Sequence, residues 1–206
     1  MDPFRLPIFP LAMVLFPGTL VPLHIFENRY REMVTDVLEG EKRFGLIYHD
    51  PDDSGPFMNQ KGDMGTVAEI RRHQPLPDGR SMILIRGGDR FQIQAEVEGR
   101  ARYYEAMVTP YEDLPEEERS LLVARRKRSL ALFKNVLQTH PHVPDALPPF
   151  SIKRELSFRL AGLVRMDPFW QRELLMMRRE INRLDQLDPI FQAGIERWWE
   201  NRGIEA

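Results

Sequence analysis

Apolar residues in the first half of the sequence fall in short runs separated by clusters of Gly, Pro and Asp. Such spacing, with β-branched and aromatic residues inside the runs, predicts strands. They fall at Ala12–Leu15, Thr19–Ile25, Arg43–Tyr48, Gly65–Arg72, Ser81–Ile85, Phe91–Val97 and Tyr103–Thr109. Phe91, Ile93, Ala95 and Val97 alternate with Gln92, Gln94 and Glu96, the two-residue period of a half-buried strand. The Asp78-Gly79 pair tolerates positive φ, so the strands around Leu76–Arg80 should form a hairpin. One helix interrupts this region: Tyr30, Met33, Val34, Val37 and Leu38 share a face between Asn28 and Leu38, and Gly40 ends it. Several short strands with a single early helix predict a closed or nearly closed barrel, which removes vulnerable sheet edges.

From Pro115 the period becomes helical. Asp113-Leu114-Pro115-Glu116 has the form of a helix start, and Val123, Leu130, Phe133 and Leu137 make a stripe behind it. A proline-rich break spans His140–Pro149, after which Ser151 can cap a helix carrying Ile152, Leu156, Leu160 and Leu163. Asp167-Pro168 predicts another start, since proline fits the first helical turn. Trp170, Leu174, Met177, Ile181 and Leu184 follow it at helical spacing. Asp188-Pro189 repeats the device for a last helix with Phe191, Ile195 and Trp198, closed by Gly203. The expectation is an α+β protein: a β-barrel subdomain over residues 1–114 with one short helix, then a four-helix bundle over residues 115–206.

Composition changes this picture mainly by exclusion. The 206 residues are 42% hydrophobic and 29% charged, which is ordinary for a folded protein. The net charge is −2, with thirteen Lys and Arg against eighteen Asp and Glu before Pro115, and sixteen against thirteen from it onward. No basic field exists to attract nucleic acid or an anionic membrane. Cysteine is absent, which excludes disulfides, thiolate zinc sites and cysteine nucleophiles and fits a reducing compartment. The start MDPFRLPIFP has an acid at position 2 and prolines in its apolar stretch, unlike a signal peptide. No run approaches 18 apolar residues, so a cytoplasmic protein without membrane spans is expected.

The motifs themselves resemble a known family. Leu6-Pro7-Ile8-Phe9-Pro10-Leu11, Val14-Leu15-Phe16-Pro17-Gly18 and Pro22-Leu23-His24-Ile25-Phe26-Glu27-Asn28-Arg29-Tyr30-Arg31-Glu32-Met33 look like the opening of Lon N-terminal (substrate-binding) domains, closest to short bacterial stand-alone members. Gly65–Ile70, Leu76–Arg80 and Gly87-Gly88-Asp89-Arg90-Phe91 resemble the family's central strand, its hairpin and its Gly-x-x-Arg-Phe element. Ile152–Leu187 resembles its helical part more loosely. The resemblance implies a six-stranded, PUA-like pseudo-barrel and a module that binds unfolded polypeptide or a protein partner, such as one belonging to a protease system. The ATPase and serine-lysine peptidase modules of a full-length Lon are not expected here. The sequence has no Gly-x-x-x-x-Gly-Lys-Ser/Thr loop and ends before a peptidase domain could fit.

Candidate chemistry is thin. His140-Pro141-His142 lies in a proline-rich break without a nearby acid cluster, and His49 and His73 have no distinctive company. Asp50–Gly55 opens like a calcium loop, but its twelfth position is Lys61 rather than a bidentate Glu. Ser129 and Ser151 have Lys127 and Lys153 near in sequence but no strained turn or oxyanion donors. Arg125-Arg126-Lys127-Arg128 reads either as a salt-bridged helix face or as a patch for an acidic partner or RNA. No catalytic residue, metal or cofactor is assigned. The candidate protein-binding residues are Phe57 and Met58, large apolar side chains on a polar loop, with His24, Glu27 and Arg29 from the motif. Two other readings stay open: an enzyme with a pocket at the junction of barrel and bundle, and an RNA-binding PUA-like module.

Overall fold

The computed structural model describes residues 2–52, 57–58, 60–97, 101–139 and 156–203, with Thr139 and residues 196–203 as backbone only. Six strands and five helices follow in the order β1 (Phe4–Leu11), β2 (Leu20–Ile25), α1 (Asn28–Glu39), β3 (Arg43–Tyr48), β4 (Met64–Pro75), β5 (Ser81–Glu96), β6 (Tyr104–Pro110), α2 (Arg119–Thr139), α3 (Leu156–Ala161), α4 (Pro168–Met176) and α5 (Glu180–Gly203). The protein divides into two compact units, residues 1–112 with 165–176, and residues 113–164 with 177–206.

In the first unit the strand order is β2-β5-β4-β3-β1-β6, and a further β5–β6 pairing closes the sheet on itself. Closure works because β5 is long and serves two ends. Its first half pairs with β2 through Ser81↔Ile25 to Arg86↔Leu20, and its second half pairs with β6 around Ile93↔Val108. The change of partner falls at Gly87-Gly88. There the Gly87 N–H donates to Thr19 O at 2.9 Å, and its carbonyl accepts from Gly18 N at 2.8 Å. A Cβ on Gly87 would collide with Phe16 O, so only glycine lets the Phe16-Pro17-Gly18 turn seat against the strand.

The barrel interior is Leu6, Ile8, Ile47, Val67, Phe91, Ile93, Ala106 and Val108. Phe91 occupies the space that Cβ atoms on Gly45 and Gly65 would take, at 2.6 and 2.5 Å. A second cluster lies under α1, where Tyr30, Met33, Val34 and Val37 pack on Phe9, Ile25, Phe44, Ile70, Ile83 and Ile85. The helix α4 also belongs to this unit. Asp167 Oδ1 accepts from Phe169 N at 2.8 Å at its start, and Tyr48 meets Phe169 edge to face. At its end the buried Arg90 donates to Leu175 O at 2.5 Å and the Tyr111 hydroxyl donates to Met176 O at 3.1 Å. The Gly-x-x-Arg-Phe element therefore supplies a barrel glycine, a cation that satisfies a helix C-terminus and a core ring in five residues.

In the second unit α2, α3 and α5 bury Leu130, Phe133, Leu156, Phe158, Leu160, Leu184, Leu187 and Phe191. Its polar centre is Arg183, 1% exposed. Arg183 donates to Asp113 Oδ1 and Oδ2 at 2.9 and 2.5 Å, to Met177 O at 2.7 Å and to Ser157 Oγ at 2.9 Å. Its guanidinium also lies over the Phe158 ring at 4.0 Å.

Several sequence expectations need correction. The first strand is Phe4–Leu11, not Ala12–Leu15, which is a loop with Val14 and Leu15 buried. The two strands expected at Ser81–Ile85 and Phe91–Val97 are one, bent at its glycines. The single helix expected behind Asp167-Pro168 is two, because the carbonyls of residues 175–178 accept from Arg90, Tyr111, Arg183 and Leu114 N instead of continuing the helical ladder. Pro189 opens no new helix. It sits inside α5. The helix expected at Asp113–Glu116 begins at Arg119, and Glu116 Oε1 instead accepts from Ile181 N at 3.0 Å, in the first turn of α5. Ser151, Ile152 and His140–His142 lie outside the described residues.

Candidate functional site

The strand β2 carries apolar residues on both faces. Val21, Leu23 and Ile25 turn toward the α1 cluster, while Leu20, Pro22 and His24 point outward. On β5, Ile83 and Ile85 are buried while Met82 and Leu84 face out. The register sets these outward residues opposite one another: Leu20 with Arg86, Pro22 with Leu84, His24 with Met82. On the far side of β5, Leu84 faces Arg72 and Met82 faces Gln74. Directly opposed residues on paired strands share a face, so the result is a sheet surface with apolar side chains in the middle. Leu20 is 60% exposed, Met82 37%, and Phe26, just beyond the end of β2, 58%. Its rim is polar and basic: Arg72 has no carboxylate within 4 Å among the described residues, and Arg86 lies 3.7 Å from Glu69.

The edge of β2 is open among the described strands, since β5 is its one partner. Thr19 O takes the Gly87 N–H, which puts the paired backbone groups of β2 on odd-numbered residues and turns those of Leu20, Pro22 and His24 to the edge. Pro22 has no N–H to give. An added strand would lose its central hydrogen bond there.

The sequence-derived candidates divide between this face and a second cluster. His24 belongs to the face, with its ring 5.6 Å from that of Phe26. Glu27 and Arg29 pair with each other at 3.0 Å. The Arg29 guanidinium lies 4.6 Å from the Tyr30 ring centre and 5.5 Å from that of Tyr104, to whose hydroxyl it donates at 3.4 Å. Phe57 meets the other side of the same group, edge to face with Tyr104 at 5.0 Å and with His49 at 5.5 Å. Tyr104 thus joins Glu27, Arg29 and Phe57 into one cluster, and Phe57 packs against the barrel core. Met58, 62% exposed, points away from packing. Burial pushes the Tyr30 phenol well above its usual pKa against the opposing pull of Arg29.

Sequence reading missed Leu20, Phe26 and Met82. The signal was present: Leu20–Ile25 and Met82–Ile85 are apolar at both strand phases, although a barrel wall needs only one apolar face. The basic run on α2 is absorbed elsewhere. Arg126 pairs with the buried Glu180, Arg125 with Asp185 at 3.3 Å and Arg128 with Asp188 at 3.3 Å, all acids of α5. Among the described residues no helix is long and apolar enough to cross a membrane.

The family described as the ATP-dependent protease La (LON) substrate-binding domain matches residues 5–189. A Lon protease from Flavobacterium johnsoniae is 30% identical over 154 residues, covering 73% of this chain and 19% of that protein. A LON peptidase N-terminal domain and RING finger protein from Schizosaccharomyces pombe is 26% identical over 235 residues, covering 96% of this protein and 47% of that one. The chain spans about a fifth of the length of the Lon proteases it matches. Among solved structures, a Lon N-terminal domain protein from Xanthomonas campestris aligns with a TM-score of 0.59 at 26% identity, over 89% of this chain and 96% of that one. The N-terminal domain of a Mycobacterium avium complex Lon protease shares the fold, with a TM-score of 0.64 at 17% identity over 92% and 98% of the two chains. The matched region runs through the six-stranded sheet and into α5, and the chain belongs to the LON substrate-binding domain family.

Proposed function

We propose that this protein is a non-catalytic recognition module for polypeptide segments and that its docking surface is the outer face of β2 and β5. The observation that carries the reading is the concentration of Leu20, Pro22, Phe26 and Met82 on one exposed sheet face, with His24 beside them. Exposed apolar patches rimmed by polar groups mark interaction sites, and a flexible Met side chain adapts to varied partners. The fitting partner is an unfolded or partly folded segment with two or three large apolar side chains. Family membership supports the same role, since the family is described by its substrate-binding domain. Of the remaining motif groups, Glu27 and Arg29 neutralise each other and Phe57 packs against Tyr104.

The test is fluorescence anisotropy with labelled, unstructured peptides rich in Leu and Phe, titrated with the full-length protein. Saturable binding that weakens at least tenfold in Leu20→Ser/Met82→Ser is expected. Equal affinity in the variant would place the surface elsewhere.

A further inference from the structure

Behind the docking face, between the first turns of α1 and the end of the β4–β5 hairpin, lies a cleft of about 420 Å3. Its polar lining includes Asn28, Arg31, Glu32, His73, Arg80 and Ser81. The charges around it do not cancel. Arg80 is held by Asp78, with its Nε donating to Oδ2 at 2.6 Å, and Glu32 lies 3.9 Å from Arg102. Arg31 has no such partner: its Nη1 donates to Asn28 Oδ1 at 3.2 Å, and no carboxylate lies within 4 Å of it among the described residues. One uncompensated guanidinium therefore remains, half-buried at the cleft wall.

It lies against the hairpin. Gly79 has φ +80°, and a Cβ there would collide with Arg31 Nη2. The glycine that makes the turn also makes room for the guanidinium to lie against it. A guanidinium carries five N–H donors in a rigid planar fork suited to an oxyanion, and Asn28 occupies one of them. The cleft also adjoins the docking face through the backbone itself. Ser81 and Pro75 line it, and their neighbours Met82 and Gln74 lie on the face; Phe26 precedes Asn28 by two residues.

We propose that this cleft is a carboxylate subsite for the polypeptide bound on the neighbouring face, with Arg31 as the residue that binds the anion. The inference rests on the docking reading above. The carboxylate can belong to an Asp or Glu side group or to the C-terminus of the bound peptide, and the preferred segment is apolar with an acid close by. The hairpin thereby reads two properties of one segment, hydrophobicity on its outer side and negative charge on its inner side.

The experiment uses four labelled peptides with one apolar core: internal Glu, internal Gln, free C-terminal acid and C-terminal amide. Each is titrated with the wild-type protein, Arg31→Gln and Arg31→Lys, and each variant's thermal melt is recorded. In the wild type the acidic member of a pair should bind roughly tenfold more tightly, as for a charge-assisted hydrogen bond. In Arg31→Gln the preference should vanish while the apolar contribution stays, and Arg31→Lys should keep part of it. The pair that shows the preference identifies the source of the carboxylate. Binding without a charge preference in the wild type would overturn the proposal. Should no peptide bind, the docking reading fails, and inorganic phosphate followed at the Arg31 Nε resonance decides the subsite alone. A saturable shift there supports it, and an unmoved resonance overturns it.

Discussion

Removing Asp113 should destabilise the second unit more than removing both Asp113 and its partner Arg183. The reason is the difference in burial across the pair. Arg183 is 1% exposed, while the Asp113 side chain is 39% exposed. Asp113→Ala deletes two of the four hydrogen bonds that the guanidinium makes and leaves its charge buried beside Phe158 without a counter-ion. Breaking a buried pair from one side costs about 3–5 kcal/mol. Arg183→Met leaves Asp113 where water can reach it, so the cost falls mainly on Met177 O, Ser157 Oγ and the packing over Phe158. That is about 2–3 kcal/mol, at the lower end for orphaned buried groups with partial refilling by Met. In Arg183→Met/Asp113→Ala no charge is stranded, so the double variant should be about 1–2 kcal/mol more stable than Asp113→Ala. Urea unfolding followed by circular dichroism gives the three differences, and hydrogen exchange across α5 localises them to this unit. Additive losses, with the double variant the least stable, would refute the buried-charge argument.

Gly87→Ala forces a methyl onto the Phe16 carbonyl, which is backbone and cannot swing aside. A loss of about 2–3 kcal/mol in denaturant unfolding is expected, with faster exchange at Gly18 and Thr19. Arg90→Gln withdraws the donor from Leu175 O and should speed amide exchange across α4 while the strands keep their protection. Tyr30→Phe should change neutral-pH stability by less than about 1 kcal/mol, because the buried hydroxyl has no hydrogen-bond partner among the described residues to lose. The same residue sets an alkaline limit. Its phenol pKa is raised by burial, so the folded state holds the proton more tightly. That stabilisation is full below the ordinary tyrosine pKa of about 10 and is lost as pH climbs toward the higher folded value. Melting temperatures should fall above about pH 10 in the wild type and fall less in Tyr30→Phe.

How far the sequence showed this molecule depends on where tertiary contacts override local signals. The strands β2 and β3 and the helix α1 lie within a residue or two of the predicted bounds: α1 and β2 turn one face to the core, and β3 is a short run buried on both faces from Phe44 to Ile47. The strand β1 is hidden by Pro7 and Pro10, which read as breakers. Between β3 and β6 both are tolerated, and Leu6, Ile8 and Phe9 still reach the interior. Gly87-Gly88 looks like a turn between two strands for the same kind of reason. Glycine marks a place where backbone approaches backbone, and here the approaching segment is the Phe16 turn rather than the strand's own return. The helical stripe from Trp170 to Leu184 says nothing of the break at residues 177–179, since the groups that take those carbonyls come from Arg90, Tyr111 and Leu114, far away in sequence.

The candidate site was legible in part. His24 and Met58 are exposed as a binding role needs, whereas Phe57, Glu27 and Arg29 are engaged with their neighbours. Leu20 and Met82 become meaningful once β2 and β5 are paired, because the sequence alone does not show that both strand phases end up on a wall with one dry side.

The proposed polypeptide-binding surface is the outer face of β2 and β5. The most direct measurement is the affinity of one unstructured, Leu- and Phe-rich peptide for the wild-type protein and for Leu20→Ser/Met82→Ser, with thermal melts run on both. Both side chains already face solvent, so the melts should coincide within a few degrees while the dissociation constant rises at least tenfold. A peptide that binds both proteins equally, or neither, would contradict the claim.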